Sequence, residues 1–388
     1  MQIEELEDLL KLYKQVTDVD VQEYVSHKTA LRLPIIPTDK IKLLAQEVGE
    51  IFAKEPTIID VSAPLYVVGD LHGHFLDLCR ILKENGFPPD TTYLFLGDIV
   101  DRGEMSIETV TFVLLLKRLF PTNVYIIRGN HEFREISKAN SFYTEIQLAY
   151  DNESVFDAFI NCFEYMPLVA RVEELLLCVH GGVGQNYKRY DEVQLLQRPI
   201  KNFENLALTD LLWSDPEEGT PEFKSSPRGL GCLFGEKQAK DFLSDARKNF
   251  LCRGHQSAQH GVETQFNGCV ITVFSASNYC GTMGNEGGVL YIPDQFHYEP
   301  IRYPPLGYLK RYEVIFSPLD TCLSLLRKSE NKASSRVAAR RRLSTSNEAD
   351  ADGATTSRSL RANKLTKAYR STVDMPRLPF NLGSPNFK

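Results

Sequence analysis

The sequence predicts an α/β fold, with apolar strands alternating with helices in buried layers. Five short runs, "PLYVVGD", "TTYLFLGD", "NVYIIRGN", "LLLCVHGG" and "VITVFSASN", share one design: four to six β-favouring residues, then a polar turn. Helical patterns, "FLDLCRILKENG" and "SIETVTFVLLLKRLF", separate the first three. Strand, helix, strand repetition implies layers with buried sheets. A hydrophobic fraction of 43% over 388 residues supplies a sizeable core.

In chain order, residues 1–30 form a helical lead-in. "MQIEELEDLLKLYKQV" is charged throughout and reads as an amphipathic helix, not a signal peptide. "LPIIPTDK" follows, and Thr38 or Asp39 is placed to cap the helix "KIKLLAQEVGEIFAKE". One large domain is expected over residues 31–305, without internal repeats. Residues 306–388 read as a basic, mostly disordered tail: "SENKASSRVAARRRLSTSNEADADGATTSRSLRANK" is poor in large apolar residues. A short apolar element, "MPRLPFNLG", lies near its end.

No apolar run approaches the roughly 20 residues that span a bilayer. The expectation is a soluble, cytoplasmic or nuclear protein. Its eight cysteines are scattered without a CxxC pair and read as reduced thiols. The net charge of −7 is uneven. From Thr321 onward there are 14 Lys+Arg against 5 Asp+Glu, or +9, which leaves −16 for the rest. An acidic body argues against nucleic acid as a partner and favours basic substrates or the chain's own tail. That split suggests a tail resting on the body and moderating access to a cleft.

The polar turns after the strands carry the chemistry. They hold Asp70, His72 and His74; Asp98, Asp101 and Arg102; Asn130 and His131; His180; and Ser275, Asn278 and Tyr279. A further turn, "CRGHQ", carries His255. Ligands of α/β sheets bind beyond the carboxyl ends of strands, so these groups should meet in one cleft. Oxygen and imidazole donors without thiolates suit Mn, Fe, Zn or Co. There are enough donors for two ions and a bridging carboxylate.

GDLHGH, GDIVDRG, GNHE, HGG and RGHQ, in this order, resemble the signature of the phosphoprotein-phosphatase family of metal-dependent serine/threonine phosphatases. "LLWSDP" and "FSASNYCG" narrow the resemblance to the protein phosphatases, nearest the type-1 and type-2A catalytic subunits. The resemblance covers roughly residues 40–295. It implies a metallophosphoesterase-type β-sandwich of two mixed sheets flanked by helices, with residues 31–305 as the catalytic domain. It implies hydrolysis of phosphoserine and phosphothreonine by a hydroxide bridging two divalent ions (Mn, Fe or Zn), in one in-line step. The alternatives are a catalytically silent phosphoprotein-binding scaffold and a dinuclear phosphoesterase acting on nucleotides.

By resemblance, Asp70 and His72 bind the first ion, Asp98 bridges, and Asn130, His180 and His255 bind the second. His131 protonates the leaving oxygen and Asp101 orients it. Arg102, Asn130, Arg228 and Tyr279 contact the substrate phosphate. Cys280 resembles a thiol that natural toxins modify in relatives. His74 stands where the family usually has glutamine, and is expected to serve as a hydrogen-bond partner beside the metal ligands. Phosphoprotein substrates and regulatory or targeting subunits are the implied partners. In the tail, "ARRRLSTS" resembles a basophilic kinase site at Ser344.

Overall fold

The computed structural model describes residues 1–187 and 189–330. The first part forms helices α1 (Ile3–Asp18) and α2 (Val21–Val25), strand β1 (Arg32–Ile35), helix α3 (Thr38–Lys54) and strand β2 (Ile58–Val61). Strands β3 (Leu65–Val68), β4 (Tyr93–Phe95) and β5 (Val124–Ile126) follow, separated by α4 (Phe75–Asn85) and α5 (Ser106–Leu119). Next come α6 (Arg134–Ala139), α7 (Ser141–Tyr150) and α8 (Glu153–Phe163), then β6 (Val169–Val172) and β7 (Leu176–Cys178). Helix α9 (Leu206–Trp213), the short strands β8 (Asp215–Pro216), β9 (Lys224–Ser225) and β10 (Cys232–Phe234), and helix α10 (Glu236–Ala246) lead to β11 (Phe250–Arg253). Then come β12 (Val262–Gln265), β13 (Val270–Val273), β14 (Gly287–Ile292), β15 (Glu299–Tyr303) and β16 (Ile315–Pro318), and residues 319–330 are helical.

All five expected strands form, as β3, β4, β5, β7 and β13, and the four expected helices form, as α1, α3, α4 and α5. The strands divide between two mixed sheets, ordered β15-β14-β3-β4-β5 and β12-β13-β11-β7-β6-β2. Within each sheet the strands that precede polar turns run parallel: β3 with β4 and β4 with β5, and β7 with β11 and β11 with β13. Their carboxyl ends therefore share an edge. Alternation along each strand sends one set of side chains between the sheets. Val67, Leu94, Ile127, Ala170, Cys178, Cys252, Ile271, Val273 and Leu290 form that inner core. Fully buried valine, leucine and isoleucine side chains are worth about 1.5–3 kcal/mol each. A helical layer covers the outer face of the first sheet.

Two expectations are corrected. Helix α3 takes Pro37 ahead of its first turn, and neither Thr38 nor Asp39 caps it. Proline's fixed φ already suits a helix start. The compact body also does not end at residue 305 but continues to Glu330. Strand β16 pairs in parallel with β1, and Leu306, Leu309, Val314, Leu319 and Leu326 are buried in the helical core. These apolar residues are too sparse to show a period, so the stretch resembled tail. The lead-in also belongs to the body, with Tyr13 of α1 stacked on Phe112 of α5 at 4.5 Å. The rest of the expected tail, including Ser344 and "MPRLPFNLG", lies outside the described residues.

Gly69 ends β3 where that strand meets the other sheet. Asp70 bridges Phe274, the residue after β13. A side chain at Gly69 would strike the carbonyl of Val273. Both partners are backbone and cannot step aside. We expect Gly69→Ala to lower unfolding stability by about 1–3 kcal/mol in denaturant titrations. An unchanged midpoint would mean that the sheets do not approach this closely.

Candidate metal centre

The turns at the shared edge are built from unusual backbone. His72, Asp98, Asp101, Arg102, His255, Asn278 and Cys280 all have positive φ, between 43° and 72°. Non-glycine residues rarely hold this conformation, and surrounding bonds must enforce it. At Asp98 the enforcer is Glu132, a buried residue that sequence reasoning passed over inside GNHE. Its carboxylate accepts from the backbone N–H groups of Asp98 (2.8 Å), Ile99 (2.8 Å) and Gly129 (2.9 Å). Asp98 in turn accepts from the His131 N–H at 2.9 Å. Asp70 accepts from the His255 N–H at 3.0 Å, tying the turn after β3 to the turn after β11.

The imidazoles are oriented by carbonyl groups. His72 Nδ1 donates to Val100 O and His180 Nδ1 donates to Leu96 O, both at 2.9 Å. A carbonyl can only accept, so Nδ1 of each ring carries a proton and Nε2 is the nitrogen left to face the cluster. His72 Nε2 then faces Asp98 Oδ2 at 3.5 Å and Asp70 Oδ2 at 3.8 Å. His180 Nε2 faces Asp98 Oδ2 at 3.3 Å and Asn130 Oδ1 at 2.8 Å. His255 Nδ1 lies 2.9 Å from the same Asn130 oxygen. Ligand-type oxygen and nitrogen atoms thus converge on one another.

That donor set fits divalent cations. Asp98, His180 and His255 present ligand-type atoms within 4.8 Å of one another, and so do His72, Asp98 and His131. Asp98 belongs to both groups. All are buried, in a chain segment where burying unpaired lone pairs is costly. Carbonyl-oriented imidazoles next to carboxylates are the usual surroundings of a bound metal.

In the bare protein, protons must do what a cation would do. Burial, followed by the charge of Asp98, pushes Asp70 up to about 7. Burial acts to lower the His180 pKa, but Asp98 and Asp70 outweigh it and raise it to about 9. Burial lowers His72 to about 3, helped by His131. Burial and the neighbouring His180 and Arg253 hold His255 well below the usual imidazole range.

Beside this cluster, His131 Nδ1 binds Asp101 Oδ2 at 2.7 Å. The other Asp101 oxygen accepts from the Phe142 N–H at 2.8 Å. Burial opposes protonation of His131, but Asp98 and Asp101 raise its pKa above the ordinary value. Arg102 is exposed and has no ion-pair partner among the described residues. Arg228 is fastened by Nε to Asp215 at 2.6 Å. The other Asp215 oxygen accepts from Arg253 Nη2 at 2.8 Å, a buried contact the sequence did not signal.

Tyr279 lies over the cluster, with its ring 5.4 Å from that of His72. His74 holds the neighbouring loop: its Nδ1 faces the carbonyls of His72 (2.9 Å) and Leu71 (3.1 Å), and its Nε2 accepts from the Cys280 N–H at 3.3 Å. Of the expected site residues within the described part, Asp70, His72, Asp98, Asp101, Asn130, His131, His180 and His255 form one connected, buried network. Arg102, Arg228, Tyr279 and His74 border it.

The family described as calcineurin-like phosphoesterase matches residues 63–259. A Saccharomyces cerevisiae protein, serine/threonine-protein phosphatase PP2A-like PPG1, is 36% identical over 285 residues, covering 70% of this chain and 77% of the relative. A solved structure of a protein serine/threonine phosphatase from Saccharomyces cerevisiae, with similarity to human phosphatase PP5, superposes with a TM-score of 0.66. It is 29% identical, with 70% of this chain and 91% of that chain covered.

Because His180 and part of Asp70 carry protons near pH 7 in the bare protein, cation binding must displace them. Titration calorimetry of the metal-stripped protein with Mn²⁺ at pH 7 should show about one proton released per chain or more. The apparent heat will then depend on the ionisation enthalpy of the buffer. Buffer-independent heat would contradict this reading of the cluster.

Proposed function

The chain belongs to the calcineurin-like phosphoesterase family, in its serine/threonine protein phosphatase branch, and on that basis we propose that it hydrolyses phosphoserine and phosphothreonine in proteins by the following division of labour. Asp70, His72 and Asp98 would hold one divalent ion, and Asp98, Asn130, His180 and His255 would hold a second. The donors are oxygen and imidazole without thiolate, which favours Mn, Fe or Zn. Such ions, when bound, supply Lewis acidity to the phosphoryl oxygens and acidify a coordinated water.

The chain's own residues do the rest. Arg102 takes phosphate oxygens at the cleft mouth. Arg228 joins it through the terminal nitrogens left over from its Nε contact with Asp215. Tyr279 packs over the phosphate position. His131 gives a proton from Nε2 to the departing seryl or threonyl oxygen, because its Nδ1 is held by Asp101. Asp101 also stabilises the charged ring. This pair, set beside Asp98, is the observation that supports hydrolysis most strongly. A silent phosphoprotein-binding scaffold needs donor groups for recognition but no buried acid aimed at a leaving group.

Phosphate release from a phosphothreonine peptide should depend on added Mn²⁺ and fall at least about 100-fold in Asp98→Asn. Metal-independent turnover, or a fully active variant, would overturn the proposal. The pH dependence carries a second test. His131 is in its donating form below its raised pKa and loses the proton as pH rises through it, so kcat falls on the alkaline side. Asp101→Asn removes a charge that raises that pKa and should move the alkaline limb to lower pH. A limb that stays in place would remove His131 as the acid.

A further inference from the structure

Residues 304–330 lie beyond the segment matched by the family. They nevertheless reach the loop that carries Asp101 and Arg102. That loop runs straight into α5, whose first residue is Ser106. Ser106 Oγ accepts from the Asp101 N–H at 3.1 Å. The first two N–H groups of α5 have no partner within the helix. Glu145 of α7 supplies one: its buried carboxylate accepts from Ser106 N at 3.0 Å and Ile107 N at 2.9 Å. Phe142, on the same helix, donates its N–H to Asp101 Oδ1 at 2.8 Å. One helix therefore holds both the start of α5 and the carboxylate of Asp101.

Glu145 does not stand alone. Glu108, also buried, opposes ionisation of Glu145: burial first and Glu108 second push Glu145 up to about 8. Arg311 compensates both. Its Nη1 donates to Glu145 Oε1 at 2.9 Å and to Glu108 Oε2 at 2.8 Å, and its Nη2 to Glu108 Oε1 at 3.0 Å. The Arg311 N–H donates to Glu104 Oε2 at 3.1 Å, inside the loop itself. The guanidinium lies 4.4 Å over the Phe316 ring, on β16. A planar fork satisfies two carboxylates at fixed angles in a way an ammonium cannot.

We infer that Arg311 and Glu145 are positioning residues for the Asp101–His131 pair, so that the segment after the family-matched region tunes leaving-group protonation. This rests on the function proposed above. The chain of contacts is Arg311 to Glu145, Glu145 to the Ser106 N–H, Ser106 Oγ to the Asp101 N–H, and Asp101 to His131. None of the first three touches substrate. Removing Arg311 leaves two buried carboxylates facing each other, and the start of α5 must shift or take up a proton.

Arg311→Met should lower kcat on a phosphothreonine peptide by about 10- to 100-fold, with KM little changed. An aryl phosphate, whose phenolate leaves without protonation, should lose less than about threefold. Arg311→Lys restores charge without the fork and should recover part of the loss. In an Asp101→Asn background, Arg311→Met should cost almost nothing further, because the group it positions is already gone. Equal losses on both substrates, or full additivity with Asp101→Asn, would overturn the inference and leave Arg311 as a fold-stabilising residue only. Amide exchange on the same proteins does not depend on turnover: Arg311→Met should speed exchange at Ser106, Ile107 and Asp101, and unchanged protection there would also overturn it. A wild-type chain inactive on both substrates would instead count against the function proposed above, while the exchange data still decide whether Arg311 holds the loop.

Discussion

The contact between the ends of β3 and β13, across Gly69 and Val273, is the constraint on which the rest of the structure depends. Two mixed sheets are closed against each other over an apolar interior of Val67, Leu94, Ile271 and Val273. At one edge the interior stops, and the parallel strands deliver their turns into the same small volume. Asp70 sits at the bridge itself. From there its carboxylate reaches the His255 N–H across the seam. Without a residue lacking a side chain at position 69, the two sets of turns would be held apart.

Closing the seam creates an electrostatic problem that the site then exploits. Carboxylates and imidazole lone pairs are buried together, and few N–H groups lie between them. Backbone bonds fix the geometry: Glu132 pins the Asp98 turn, and the carbonyls of Val100 and Leu96 pin His72 and His180. With the groups unable to turn away, burial and the neighbouring carboxylates raise the proton affinity of Asp70 and His180. A site of this kind is preorganised for a cation, because backbone groups already fix its ligand side chains. The same rigidity serves His131, whose ring is fixed through Nδ1 and whose other nitrogen is left for chemistry.

Much of this was legible in the sequence. The strands were visible because runs such as "YLFL" and "YIIR" are short, apolar and followed at once by turn residues. The polar residues after β3, β4, β5, β7 and β13 were visible because each follows a strand end, whereas Arg228 was carried by the family resemblance alone. Periodicity could not say that β3, β4 and β5 lie in one sheet while β7, β11 and β13 lie in the other, because sheet membership is a non-local pairing. Glu132 and Glu145 escaped notice because a carboxylate that accepts from backbone N–H groups looks like any other glutamate in a sequence. Residues 306–330 were misread for a related reason: β16 is four residues long and owes its place to β1, nearly three hundred positions earlier. Arg228 was expected at the phosphate, and its anchor, Asp215, shows how a loop arginine can be held partly ordered.

Sharing of Asp98 between two groups of donors is the central claim, and counting bound ions tests it most directly. Metal content per chain, measured after loading with Mn²⁺ and removal of excess, should be two in the wild type. Asp98→Asn should weaken both ions together, whereas His72→Asn and His255→Asn should each weaken one. A single ion in the wild type, or loss of only one ion in Asp98→Asn, would contradict a shared carboxylate.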